Sequence, residues 1–336
     1  MNMAPEWSAA VLAWPALIAL SIIFGSSILS LLVQSRSEDR PHAAEDFAGR
    51  LSPWWRLCSI VAFLFSPLLL LNQVARMAEV SWRGALPFVC DVLKETYAGH
   101  VWDWQMPVAF VLLIVAWTPL AGFAKPLLLC ILSAAILLLD SLTSHAIDYG
   151  GATIALHTVH ALAAGLWVGA LFGWWIGWRG VTVESEHAVR FTPILSRLAA
   201  WSVLIAVLSG IFLAYEGLGF SLHNFFYSTY SHVLAVKIGV FGLVLLGGAY
   251  NRYFLLPKLE EIPARQALRR NVGLEWAVLF GVLGLAAVLA NTSPARMALR
   301  AQAGGMPAGR EAFIISPSLC IRFSQLLNGF HNEYSI

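Results

Sequence analysis

Charge is the first thing in short supply. Only 12% of the 336 residues are Asp, Glu, Lys or Arg, against about 25% in soluble domains, whereas 59% are hydrophobic. No water-soluble fold needs that balance. The net charge of +2 is small and spread along the chain, so there is no basic face for nucleic acid. Cys58, Cys90, Cys130 and Cys320 stand far apart with no CxxC, which provides neither a disulfide framework nor a zinc site. The six methionines form no Met-rich run. A basic n-region is also missing ahead of the first long apolar run, which is therefore expected to stay as a membrane span and not to be cleaved as a signal.

What the chain has is apolar runs of membrane length. From Gly151 to Trp178 there is no Lys, Arg, Asp or Glu, enough to cross a hydrocarbon core of roughly 30 Å at 1.5 Å per residue. Eight such spans are predicted, at 8–33, 54–77, 100–118, 123–144, 153–178, 192–216, 231–255 and 272–292. The second is expected to break near Ser66-Pro67. The fold class is all-α, a polytopic helical bundle of about eight spans over residues 1–294, with the lipid bilayer as its first partner. Residues 295–336 are expected to form a polar, poorly ordered tail.

The fifth span carries the clearest pattern. Gly165, Gly169, Gly173 and Gly177 recur every fourth residue, leaving a groove that lets a neighbouring backbone come close. His157 and His160 share a different face, about 140° from the groove at about 100° per residue. One side of this helix packs and another presents imidazoles. Trp167, two turns below His160, is placed to wall the site from lipid.

Orientation follows the basic residues. Loops after the odd-numbered spans carry most of the Lys and Arg, including Arg36, Arg40, Arg50, Lys125, Arg179 and Arg190, whereas those after the even ones hold Arg83 and Lys94. The odd loops are read as cytoplasmic. Both termini then face the other side, the periplasm in a bacterium. His100, His145, His157, His160, His223 and His232 all fall toward that surface. His42 and His187 lie among charges in cytoplasmic loops. TYAGHVW at 96–102 and TYSHVLA at 229–235 are alike, a trace of two four-helix repeats.

Imidazole is the commonest nitrogen ligand for copper, zinc and haem iron, and it binds at neutral pH without first losing a charge. His145, His157 and His160 are the favoured ligands. Any one interfacial His alone is better explained as a helix-end cap. Met77 and Met106 lie toward the same side and offer thioether sulfur, the soft donor for Cu(I), although a gap-filling Met is the commoner case. Lys237, on the outer side of the seventh span, could snorkel, pair with Asp140 or Glu216, or meet an anionic ligand group. Arg197, Arg252 and Glu275 sit at cytoplasmic helix ends and are expected to form an ion-pair cluster.

LTSHA at 142–146, LHTVHALAAGLWVGAL at 156–171, SRLAAWSVLIAVLSG, TYSHVLAVK, AYNRYFLLPKL and Glu275 together resemble the CopD/PcoD copper-resistance family of bacterial inner-membrane proteins. The resemblance spans roughly 90–294. His157 stands where that family would carry an acidic residue. The resemblance implies a role in copper tolerance or uptake beside periplasmic copper-binding proteins, with His145 and His160 as functional histidines. The first reading is therefore a copper-handling protein whose His145, His157 and His160 bind the ion. The alternative is a membrane oxidoreductase in which b-type haem, held by axial pairs drawn from His100, His145, His160 and His232, passes electrons from quinol to copper or another periplasmic acceptor. Gly165, Ala164, Trp167, Trp102 and Phe226 would line its slot.

Overall fold

The computed structural model describes residues 5–36, 41–144, 150–178, 186–219 and 228–292. His145, His223, the loop around Arg179 and everything after Thr292 lie outside the described residues. Ten α-helices occur among those described: α1 (Pro5–Ser35), α2 (Pro41–Met77), α3 (Trp82–Ala85), α4 (Val89–Glu95), α5 (Tyr97–Trp117), α6 (Ala124–Leu142), α7 (Gly151–Gly177), α8 (Glu186–Gly217), α9 (Thr229–Tyr250) and α10 (Ile262–Asn291). Eight of them are long and apolar enough to cross a membrane, all but α3 and α4. The chain is a multi-pass, all-α membrane protein.

Several helices run beyond the apolar stretches that mark them in the sequence, because hydropathy reports the lipid-matched part and backbone hydrogen bonding continues past it. α2 is also unbroken at Pro67. Proline is tolerated in spanning helices, and α2 runs through Pro67 as one helix although the Phe63 carbonyl loses its usual N–H donor there.

α1 is the most buried of the eight spans and packs against α2, α6, α7 and α10. Its buried Ser21 and Ser26, together with Gly25, form a small-residue flank that meets the α7 glycines. A Cβ on Gly169 would fall 1.9 Å from the Ser21 carbonyl oxygen, and one on Gly25 2.6 Å from the Ala170 nitrogen. These backbones touch directly, as small-xxx-small contacts do in bilayers. Gly173 abuts Ser26 and Gly177 receives the Phe47 ring, whereas Gly165 makes only ordinary contacts. Trp55 then locks α2 onto the seam by donating its indole N–H to the Ser26 hydroxyl at 2.8 Å. Arg50 donates to the Gly177 carbonyl at 3.1 Å, satisfying one of the orphan acceptors at the end of α7.

The other half of the bundle is looser. α9 packs chiefly on α10, and α8 on α7, but α8 and α9 do not pack along each other. Their outer faces are apolar and open, with Leu208 63% and Leu246 69% exposed, as lipid-facing surfaces are.

Candidate functional site

Alternating helix directions bring the end of α6, the start of α7, the end of α8 and the start of α9 to one end of the bundle. On α7, Thr153, His157 and His160 recur at i, i+4 and i+7 and so form one polar stripe. Each is tied to a neighbouring helix. Thr153 donates to Glu216 Oε1 on α8 at 3.1 Å, His157 Nδ1 lies 3.1 Å from Ser141 Oγ on α6, and His160 Nδ1 lies 3.0 Å from the Ala206 carbonyl and 3.1 Å from Ser209 Oγ on α8.

Those partners assign the protons. A carbonyl can only accept, so His160 carries its hydrogen on Nδ1 and keeps the lone pair on Nε2. That is the tautomer of a metal-ligating histidine, whose other nitrogen is oriented by a hydrogen bond. Ser209 donates to the Ile205 carbonyl at 2.6 Å, which leaves its oxygen to accept from the ring. Ser141 likewise donates to Leu137 O at 2.9 Å, so His157 Nδ1 also donates. Gly210 is the notch that admits the His160 ring, since a Cβ there would lie 2.9 Å from Cε1.

Two carboxylates flank the stripe. Asp140 accepts from Gln105 Nε2 at 2.7 Å. Glu216 is buried, and its Oε2 has no hydrogen-bond partner among the described residues. A buried acceptor left open is a place for a proton, water or cation. Lys237, half-buried on α9, lies within electrostatic reach of His160. Among the described residues it forms no ion pair with Asp140 or Glu216, the partners the sequence offered; those acids accept instead from Gln105 and Thr153.

The remaining candidates scatter. His100 pairs with Asp103 at 3.7 Å on an exposed surface of α5. His232 is exposed in the first turn of α9. Both histidines stand four residues after their helix cap, Thr96 accepting from the Gly99 N–H at 2.9 Å and Ser228 from the Ser231 N–H at 3.1 Å, so the two similar sequence segments share a capping register. Met77 and Met106 pack in a small cluster around Trp102, Leu70 and Val74, apart from the histidine stripe. Trp102 donates to Gln73 at 2.7 Å. Trp167 is buried and stands edge-on to Phe241 of α9, with ring centroids 5.6 Å apart. Among the described residues no three His, Cys, Asp or Glu side chains converge on one point.

At the opposite end the expected ion-pair cluster is replaced by a different arrangement. Arg252 donates to Ser196 O and Oγ at 3.0 and 3.2 Å, and Arg197 turns onto Pro193 O of its own helix. Glu275 is instead held by the Asn251 amide, and Asn271 donates to Asn251 Oδ1 at 3.1 Å. Asn251 can bridge them because the backbone over Asn251–Leu255 widens into a π-helix, an irregularity frequent where a helix is adapted to a local task. An amide with both donors and an acceptor can serve a buried acid without a second charge, which the arginines, drawn outward to Ser196 and solvent, do not.

A multi-pass helical membrane protein with a polar, histidine-bearing seam at one end is the class that this geometry defines. The family model described as "Copper resistance protein D-like, N-terminal domain" matches residues 3–154, and "Copper resistance protein D" matches 189–289. The chain belongs to the copper resistance protein D family of membrane proteins. His157 and His160 fall between the two matched stretches. The chain is 26% identical over 295 residues to Copper resistance protein D of Pseudomonas syringae pv. tomato, covering 82% of this chain and 93% of that protein. It is 27% identical over 232 residues to Copper transport protein CutJ of Bacillus subtilis, covering 64% of this chain but 41% of that protein. Inner membrane protein YebZ of Escherichia coli is 27% identical over 217 residues, 62% of this chain and 73% of that one. No solved structure matches.

Proposed function

We propose that this protein binds copper as its cargo at the histidine-bearing end of the bundle and hands it on as a step in copper tolerance or uptake across the bacterial inner membrane. His160 supplies the principal ligand through Nε2. His157 stands one turn nearer the helix start, and His145, whose position lies outside the described residues, completes the donor set. The names of the relatives support the copper assignment. The positive-inside count supports placing this end, and both termini, at the periplasm, where a soluble copper-binding protein would deliver or collect the ion.

The observation that carries the reading is the fixing of His160. Its Nδ1 is spent on Ala206 O and Ser209 while Gly210 keeps the ring seated. A histidine that merely filled space or capped a helix would not need one nitrogen fixed so that the other keeps its lone pair. A haem reading lacks equivalent support. Among the described residues no two imidazoles face each other across a slot, Gly165 and Trp167 are occupied by helix packing, and His100 and His232 are exposed.

The test is His160→Ala in detergent-purified protein and in cells. Copper binding and the copper-dependent phenotype should be lost while membrane insertion and helical content stay normal, because the packing flank of α7 is on another face. Loss of the variant from the membrane would show the residue to be structural, and undiminished copper binding would remove it from the site. A Soret band in the parent that disappears in this variant would instead establish haem ligation.

A further inference from the structure

At the end of the bundle opposite the histidines, two cations meet with no acid between them. Lys125 is the second residue of α6 and only 6% exposed, whereas a buried lysine is ordinarily paired with an opposite charge. Arg56, in the first half of α2, lies within electrostatic reach of it. Both belong to the stretch 41–144, which is described without a break and includes α2, α5, α6 and the turn joining the last two. Among the described residues neither has a carboxylate partner. What Lys125 does have is a carbonyl: it donates to Thr118 O at 3.1 Å, at the residue that ends α5. That contact uses one of the three ammonium N–H donors. The negative end of a helix dipole amounts to about half an elementary charge, against two unit charges on Arg56 and Lys125. About one and a half positive charges remain uncompensated, and an anion seated between them is what would turn their repulsion into attraction.

Depth and surroundings say which anion. On the histidine side α2 ends at Met77 and α6 at Leu142. At 1.5 Å per residue, Arg56 lies about 31 Å and Lys125 about 26 Å back from those ends, close to the roughly 30 Å of a hydrocarbon core. Their charged heads therefore stand at head-group depth in the far leaflet. Arg56 is exposed and lies over the Trp117 ring, 5.4 Å from its centroid. One face of the guanidinium rests on the indole, which leaves its N–H edge to meet two oxygens as a fork. Leu57 beside it, and Trp117, Leu120 and Phe123 along the turn from α5 to α6, are exposed large apolar side chains. The patch thus opens sideways onto lipid, where basic groups at this depth meet phosphate head groups.

We infer that Arg56 and Lys125 hold the phosphate of an anionic phospholipid drawn from the surrounding leaflet, with Trp117 fixing the plane of the guanidinium. The site lies at the other end of the bundle from the histidine seam and does not depend on the copper reading.

The test compares the full-length parent with Arg56→Gln, which removes an exposed side chain and leaves the Lys125–Thr118 contact in place, and with Arg56→Gln/Lys125→Gln. All are purified in detergent. Phosphatidylglycerol, phosphatidylcholine and inorganic phosphate are each titrated against thermal unfolding, and retained lipid is identified by native mass spectrometry. Phosphatidylglycerol should raise the melting temperature of the parent where phosphatidylcholine does not. Its apparent affinity should fall about fivefold in Arg56→Gln, as expected for the loss of one cation beside an anionic head group, and further in the double variant. Equal affinity of the parent and Arg56→Gln for phosphatidylglycerol would overturn the proposal, as would a parent stabilised alike by both lipids. A parent stabilised just as well by inorganic phosphate would also overturn it, by making the ligand a free anion. Should the double variant fail to insert, the parent and the single variant decide. Arg56→Lys keeps the charge but neither the fork nor the planar stack, and should bind with intermediate affinity; the full affinity of the parent there would count against the role given to Trp117. Copper binding should be the same in every variant.

Discussion

The seam between α1 and α7 makes a prediction whose sign changes within a single glycine pattern. At Gly169 an added methyl group would sit 1.9 Å from the Ser21 carbonyl oxygen and 2.8 Å from Gly25 Cα. These are backbone atoms and cannot rotate away. Restoring ordinary contact at 3.4 Å would require the two helices to separate by roughly 1.5 Å, and a gap of about 0.5–1 Å already forfeits a quarter to a half of each dispersion contact. Gly169→Ala should therefore cost at or above the upper end of the roughly 1–3 kcal/mol usual for overpacking, and Gly169→Leu more. One turn away, a methyl group on Gly165 would meet Ser21 Oγ at 3.5 Å and Leu137 Cδ1 at 3.6 Å, which is ordinary contact. Gly165→Ala should be neutral, or stabilising by up to about 1 kcal/mol through helix propensity. Thermal unfolding in one detergent, followed by tryptophan fluorescence, reads both variants. If Gly169→Ala is as stable as the parent, or Gly165→Ala loses as much as Gly169→Ala, the close-approach argument is wrong.

Gly210→Ala should push the His160 ring from its notch and weaken copper binding about tenfold or more, in the range of lost supporting contacts to a ligand, with helical content unchanged by circular dichroism. Unaltered affinity there would mean that the seat of the ring does not matter. Asn251→Ala leaves the buried Glu275 without its amide donor and should cost about 1–3 kcal/mol, read by the same unfolding assay; a variant as stable as the parent would show that solvent already serves the carboxylate.

The sequence made the spans and the two faces of α7 legible because both rest on local quantities, the length of uncharged runs and the angle between residues on one helix. The partner of the glycine face is less legible: Ser21 and Gly25 carry their own small-xxx-small spacing inside the first apolar run, but serine in a membrane run reads equally as tolerated polarity. What periodicity could not supply was which neighbour each polar group meets. His157 and His160 share a face, yet one is held by α6 and the other by α8. Lys237 lies within electrostatic reach of His160 and, among the described residues, pairs with neither of the acids that charge pairing suggested, because charge alone does not say which helix faces which. In lipid, protein-facing and lipid-facing sides are both apolar, so amphipathicity does not sort neighbours as it does in water.

The division of α7 into a packed flank and a histidine stripe bears on how a cargo site could work. A ligand that is to be captured and passed on needs donors held in place by rigid elements, and it also needs surroundings that can open. The backbone contact of α7 with α1 holds the helix on one side by atoms that have no rotamers to exchange. On the other side, α8 and α9 meet where the Tyr230 hydroxyl packs against Gly217, and do not pack along their lengths. Exchange of the ion would then be expected through movement of α9, carrying Lys237 toward or away from His160, while α7 stays still. A disulfide or short crosslink joining α9 to α8 should slow copper exchange without altering equilibrium affinity. One joining α1 to α7 should change neither, and an equal slowing by both would show that the two sides of α7 do not differ in this way.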